Sequence, residues 1–288
     1  MADAGALTAG PPRGRQAAAT SAVPPTSWRV ESSDTCLMFA RGRGANAFSG
    51  TTSFRIGSSH AQPTWTLALP RDGGNVFVTN GHPVAVSGRG VLLSPQCPHR
   101  LGMDGAHVVM NLEAWMAPRA GSGELRVLER GTTLRLLTAL DLEQGINLDA
   151  AVTELRTLIG GTGPAESRLG VALDNLAEVD RLDLVAADVG LTPARLRVVA
   201  RSEVGVSLRQ LRLWSRLMRA MEWLPGASTA LAGTLAGFAD QPHFTRAARR
   251  MLGWTPGQLR SGIARVAESG NVRRWREMSP CTAALSTA

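Results

Sequence analysis

The 288-residue chain contains no lysine and no tyrosine, and all 31 of its Lys+Arg positions are arginine. So uniform a bias reads as a property of the coding sequence and assigns no chemistry by itself. Cysteine is scarce: Cys36, Cys97 and Cys281 are widely spaced and odd in number, which excludes a disulfide framework and a CxxC metal knuckle and leaves free thiols. No run of about 18 apolar residues is present to span a membrane. Residues 1–27 hold Ala, Gly, Pro and Thr without an apolar h-region. They read as a disordered arm and not as a secretion signal, which places the protein in the cytoplasm. There is no Ser-His-Asp order, no phosphate loop of GxxxxGK[ST] form and no pair of catalytic carboxylates. The expectation is a chain without catalytic residues or a cofactor.

What is present divides into two halves, and a hydrophobic content of 44% suffices for two cores. From Trp28 to about Pro118 short apolar runs (TWTLAL, VFVTN, GHPVAV, VLLS, AHVVMNL) alternate with turn signals (RDGGN, SGRG, PQCPH). This spacing predicts an antiparallel sandwich or barrel. The period then becomes helical, with Leu134, Leu137 and Leu140, then Val152, Leu155 and Ile159. Residues 130–166 therefore form a helical connector ending in the loop GGTGPAE. Its apolar stripe either docks on the sheet or pairs with a second subunit.

Beyond Ser167 the pattern is helical throughout. Asp180 is a candidate N-cap for a helix whose one face holds Leu182, Val185, Ala186 and Val189, and Gly190 ends it. Thr192-Pro193 opens a second helix over about 193–202, with Arg195, Arg197 and Arg201 outward and Leu196 and Val199 inward. That is a helix-turn-helix. Ser207 starts a longer helix to about Leu224, on which Arg209, Arg212, Arg216 and Arg219 share a face. Pro225-Gly226 stops it, Ser228 caps a short helix ending at Gly237, and a helix over about 241–251 follows with Gln241, His243, Arg246, Arg249 and Arg250. This is a second helix-turn-helix. The fold class is therefore α+β in two domains: 28–129 a sheet domain, 130–166 a connector, 167–263 an all-α domain, and 264–288 a tail.

Charge follows this division. Residues 191–260 hold 11 Arg against Glu203, Glu222 and Asp240, a balance of +8 that equals that of the whole chain. Concentrated Arg on a small domain is the footprint of a polyanion binder, because neutralised phosphates release counterions. A helix fits the major groove, where Arg pairs with guanine and Gln with adenine. At about 1.5 Å per residue the long helix sets the two motifs about 25–30 Å apart. One turn of duplex is about 34 Å, so both second helices could enter successive major grooves.

The segment 182–224, with its G-L-T-P-x-R-L turn and G-V-S linker start, resembles the first half of the AraC/XylS-type DNA-binding domain. The stretch 237–260, with G-F-x-D-Q-x-x-F-[ST]-R, R-R-x-x-G and T-P-x-x-L-R, resembles its second half. The resemblance implies base contacts from Arg195, Arg197, Gln241, His243 and Arg246, and phosphate contacts from Arg201 and Arg249. Where that family commonly places a Phe, this chain has Ala200 and Ala248, and Trp214, Trp223 or Trp254 is expected to fill the space. Ala194 and Pro242 stand where the family often reaches bases, and neither has a side-chain donor.

In that family the front half is often a cupin-like barrel, and 54–112 is similar to one, most clearly in GRGVLLSPQCPHRL at 88–101. A metal cupin needs at least three converging ligands. His60, His99 and Cys97 are available, but the HxH pair is missing and no Glu lies between Glu31 and Glu113, so no metal site is expected. A small-molecule pocket in the barrel mouth is expected instead, with His60, Trp65, Leu67, Phe77 and His99 as candidate lining. The resulting expectation is a sequence-specific transcription regulator that binds double-stranded DNA. Its further partners would be a small-molecule effector, RNA polymerase if it activates, and a second copy of itself. The alternatives are a cupin-type metalloenzyme with a helical appendage and a DNA binder without sequence preference.

Overall fold

A computed structural model describes residues 26–31, 36–42, 44–117, 124–143, 146–160, 170–173, 176 and 181–268, with backbone alone at 26–31 and 265–268. The expected arm up to residue 25, the loop from 161 to 166, Asp180, Cys281 and the chain beyond 268 lie outside the described residues.

The front half forms two antiparallel sheets. The larger has the order β1 (Thr26–Glu31), β2 (Cys36–Gly42), β3 (Ala45–Gly50), β10 (His107–Glu113), β5 (Thr64–Pro70), β8 (Val91–Leu93) and β11 (Leu125–Val127). The smaller has the order β4 (Phe54–Arg55), β9 (Arg100–Met103), β6 (Asn75–Asn80) and β7 (His82–Ser87). Strand alternation assigns two faces to the central strands. Val108, Met110 and Leu112 of β10, with Trp65, Leu67 and Leu69 of β5, face the helices and are buried there. Ala68, Val91 and Leu93 face inward and pack against Val76, Val78, Leu101 and Met103 of the smaller sheet. β5 is buried at every residue, which accounts for its near-continuous apolar run.

The loop between β4 and β5 meets the segment before β9 through His60 and His99, whose backbones exchange two hydrogen bonds of 2.9 Å. Their rings lie 4.3 Å apart. Burial, helped by the neighbouring His99, holds His60 down at about 3, and burial likewise lowers His99 and His107. All three are neutral in the folded chain.

The connector consists of α1 (Arg130–Leu140) and α2 (Leu148–Ile159), packed on each other, with α2 also against β2 and β3. Of the two arrangements open in the sequence, this is the docked one. The buried stripe of α1 is Thr133, Leu136 and Leu140, whereas Leu134, expected inward, is 55% exposed. The cause is a hydrogen bond: the Thr133 hydroxyl accepts from the Gly90 N–H at 2.9 Å, fixing a polar residue on the buried face and turning Leu134 out.

The C-terminal half contains an entry helix (Leu182–Asp188), a first recognition helix (Pro193–Val199) continued by a π turn (Ala200–Val204), and a linker helix (Leu208–Trp223). A short helix (Thr229–Leu235), a second recognition helix (Gln241–Leu252) and a closing helix (Pro256–Glu268) follow. The entry helix has Arg181 at its N-cap position without a side-chain cap bond. The first recognition helix ends earlier than its spacing suggested because the π turn intervenes. Among the described residues no helix is long and apolar enough to cross a membrane.

Two outcomes test this core. Leu136→Ala should destabilise by about 2–5 kcal/mol and Leu134→Ala by no more than about 0.5, measured by urea unfolding. Equal losses would place the stripe back at Leu134. The histidines set a pH dependence. Their folded pKa values lie below the unfolded value of about 6.5, so the unfolded chain binds more protons as pH falls. Stability should be full above about pH 6.5 and decline below it, by up to about 1.4 kcal/mol per pH unit for each histidine. A melting temperature that does not fall between pH 7.5 and 5.5 contradicts the neutral, buried assignment.

Candidate nucleic-acid interface

Each recognition helix is started by a side-chain cap. The Thr192 hydroxyl accepts from the Arg195 N–H at 3.2 Å, with Pro193 in the first turn. The Asp240 carboxylate accepts from the His243 N–H at 2.5 Å, with Pro242 in the first turn. The turn of the second motif requires Gly237, whose φ of 83° is a left-handed conformation that side chains resist. The linker helix opens with a capping box: Ser207 accepts from the Gln210 N–H, and the Gln210 side chain reaches back to the Ser207 N–H.

These starts leave the polar ends outward. Arg195, Arg197 and Arg201 are exposed on the first recognition helix and its π turn, and Gln241, Arg246 and Arg249 on the second. His243 differs from them: it is half-buried, its ring edge-on to Phe238 at 5.4 Å, so its imidazole also packs the turn. Phe238 and Phe244 are core residues of the second motif. Of the linker arginines Arg209 is exposed, while Arg212, Arg216 and Arg219 are half-buried.

The spaces left by Ala200 and Ala248 are filled differently. Trp214 is fully buried in one core with Ala247 and Ala248, and its indole N–H has no hydrogen-bond partner among the described residues, so it serves by volume. The π turn bearing Ala200 packs against the 3-10 turn Ala114–Met116 of the sheet domain, which supplies Trp115 and Met116. Trp254 instead packs on the inner core of the sheets.

The helical domain is therefore docked on the sheets. Arg41 of β2 pairs with Glu222 at 2.6 Å, and Gln210 donates to Gln96 at 2.7 Å. The Ser58 hydroxyl donates to the Gly253 carbonyl at 2.9 Å, and the Ala61 N–H to the Arg250 carbonyl at 3.2 Å. Gly253 combines a φ of 74° with close approach: a Cβ there would lie 2.2 Å from Ile56 Cγ2 and 3.0 Å from His60 Nδ1.

Docking leaves between the two domains a cavity of about 620 Å³ that is partly open to solvent. One wall is the inner face of the larger sheet with the β4 region: Phe39, Asn46, Phe48, Asn111, Phe54 and Gln62. The other is helical: Met218, Met221, Leu252, Leu259 and Ile263. Of the five residues expected to line a pocket, only His60 does so. Trp65 and Leu67 project to the opposite face of β5, in the core shared with the connector helices. Phe77 lies beneath the Arg55 guanidinium, 4.1 Å from its centroid. His99 is buried behind His60. Sequence reasoning missed Asn46, Gln62 and the methionines, because the cavity joins segments far apart in the chain. The available signal was an Asn within each of two apolar strands, ANAFSG and HVVMNLE. Among the described residues no three His, Cys, Asp or Glu side chains converge to hold a metal.

Residues 185–262 match the family described as "Helix-turn-helix domain". No curated protein gives a significant match. Among solved structures, a single-residue variant of apo ToxT from Vibrio cholerae aligns at a TM-score of 0.48 and 11% identity, covering 82% of this chain and 100% of that one. A transcriptional regulator with an AraC-type DNA-binding domain from Chromobacterium violaceum aligns at 0.31 and 26%, covering 34% and 92%. An RmlC-like cupin from Shewanella frigidimarina aligns at 0.23 and 12%, covering 28% and 78%. With two capped recognition helices joined by one linker helix and matched by that family, the C-terminal domain is a helix-turn-helix domain of the AraC type, and the chain is a DNA-binding transcription regulator.

Proposed function

We propose that this regulator reads a specific operator through both motifs and that a small molecule in the interdomain cavity controls it, in the cytoplasm and without catalysis. The observation that carries the reading is that the cavity's second wall consists of helices of the DNA-binding domain. A molecule seated there touches both domains at once.

Base edges are read by Arg195, Arg197, Gln241 and Arg246, all exposed on or beside capped helix starts, with His243 contributing from its packed position. Arg201 and Arg249 sit further along and hold phosphates. An amide such as Gln241 can pair bidentately with adenine in the major groove, which supports base reading at that position. RNA polymerase contact, should the protein activate, and self-association belong to the same reading. Because α1 and α2 spend their buried stripes on the sheets, a second copy would have to meet the chain elsewhere than on those stripes.

Genomic fragments retained by the full-length chain at physiological salt should share two elements about one helical turn apart. Uniform recovery would instead support the binder without sequence preference. On the selected site, Arg246→Ala should cost about 1–3 kcal/mol at one base position and relax discrimination there, whereas Arg249→Ala should weaken all sequences alike. Equal losses on specific and random DNA for both variants refute this division. Control by the cavity has its own test, since linkage is reciprocal. Whatever factor a cavity ligand applies to DNA affinity, saturating operator DNA must apply to the ligand's affinity, typically about 5–150-fold. A ligand whose affinity ignores operator DNA is no effector.

A further inference from the structure

The cavity's polar lining specifies the kind of molecule it takes, given the reading of it as an effector site. Asn46, Asn111 and Gln62 are buried yet line the cavity, and they belong to one hydrogen-bonded chain. The Asn111 amide lies 3.0 Å from the Asn46 amide, and the Thr66 hydroxyl contacts Asn111 at 3.1 Å and also contacts Gln62. A hydroxyl has one proton, so Thr66 can donate to only one of these two amides and must accept from the other. Amide orientations are set by such networks. If Thr66 donates to Asn111, the Asn111 nitrogen donates to Asn46, whose own nitrogen is left for the cavity. Gln62 then gives its nitrogen to Thr66 and leaves its carbonyl free. If Thr66 donates to Gln62, every member reverses: Gln62 offers a nitrogen and Asn46 a carbonyl. Either way the chain ends on the cavity with one donor and one acceptor.

No charge accompanies them. Arg55 is the one Arg, Asp or Glu in the lining, and its guanidinium lies over Phe77 and 3.5 Å from Asp104, away from the amides. The two histidines of the lining, His60 and His107, are neutral. An ion brought against the amides would lose part of its water without gaining a countercharge. Apart from Thr52, Ser53 and Gln258, the remaining surface is apolar and aromatic, with Phe39 and Phe48 on the sheet side and Met218, Met221 and Ile263 on the helical side.

We propose that the cavity binds an uncharged amphipathic small molecule whose hydroxyl-type head, able to donate and to accept, pairs with an open amide end of the chain at Asn46 or Gln62, and whose apolar body spans from the sheet to the linker and closing helices. The volume of about 620 Å³ lies within the range of sites for drug-sized ligands.

The experiment uses the full-length chain with Nile red, an uncharged solvatochromic dye, as reporter. Three competitors share one apolar body: 4-phenylphenol, biphenyl and biphenyl-4-carboxylate. The phenol should displace the dye at about tenfold lower concentration than either of the others, the scale of one unmatched polar or charged group. Asn46→Leu or Gln62→Leu, whichever removes the amide that holds the head, should bring the phenol close to biphenyl, and an unchanged preference in both variants overturns the assignment of the head. A carboxylate as effective as the phenol, or biphenyl as effective as the phenol in the unmodified chain, overturns the ligand class while leaving the cavity as a site. Met221→Trp fills the cavity, and undiminished dye uptake in that variant overturns the cavity reading itself. The three-competitor comparison in the unmodified chain needs no variant to fold.

Discussion

The packing of the linker helix is the constraint on which the rest of this molecule depends. It buries Leu208, Leu211, Trp214, Leu217, Met218 and Met221, so its sides are taken up by different neighbours. Leu208 and Leu211 belong to the core of the first motif, and Trp214 and Leu217 to that of the second. Met218 and Met221 share that second core with Leu37 and Phe39 of the sheet. A helix surrounded in this way cannot shift toward one neighbour without opening a gap at another, because protein interiors are packed to crystalline density. The separation of the recognition helices, the shape of the cavity and the Arg41–Glu222 contact are consequences of where this one helix lies.

Two of the contacts between the sheet domain and the helical domain differ in character. At the first motif the contact is the 3-10 turn carrying Trp115 and Met116, apolar and continuous with the main core. At the second, backbone carbonyls at the end of the recognition helix accept from Ser58 and Ala61, and the cavity lies beside them. Dry packing of this kind moves as a block, whereas a few hydrogen bonds beside an open volume separate at lower cost.

Much of this was legible in the sequence, and the failures have identifiable causes. Capping residues at Thr192, Ser207 and Ser228 gave the helix starts, since a cap is a local hydrogen bond that a sequence displays directly, whereas the Asp240 cap was not read. The π turn after Val199 and the rotation of the first connector helix were not legible. The latter depends on Thr133 meeting Gly90, a contact with no local signature. Trp65 and Leu67 suggested a pocket because they are apolar and lie in the barrel sequence, but period-2 alternation settles only which residues share a face, not which face is the hollow one. The cavity was illegible for a stronger reason: eight of its 23 lining residues lie at position 218 or beyond, in a region the sequence reading had assigned wholly to DNA binding.

Gly253 joins two tasks that are separate in most proteins. It ends the second recognition helix in a left-handed turn, and it is the point where that helix touches Ile56 and His60. Change at this residue therefore disturbs DNA reading and domain contact together, and mutation has little freedom there. Ile56 and Ser58 on the opposite side carry no such double duty. Divergence of the contact between the domains is thereby channelled into the sheet domain, while the end of the second recognition helix stays as it is.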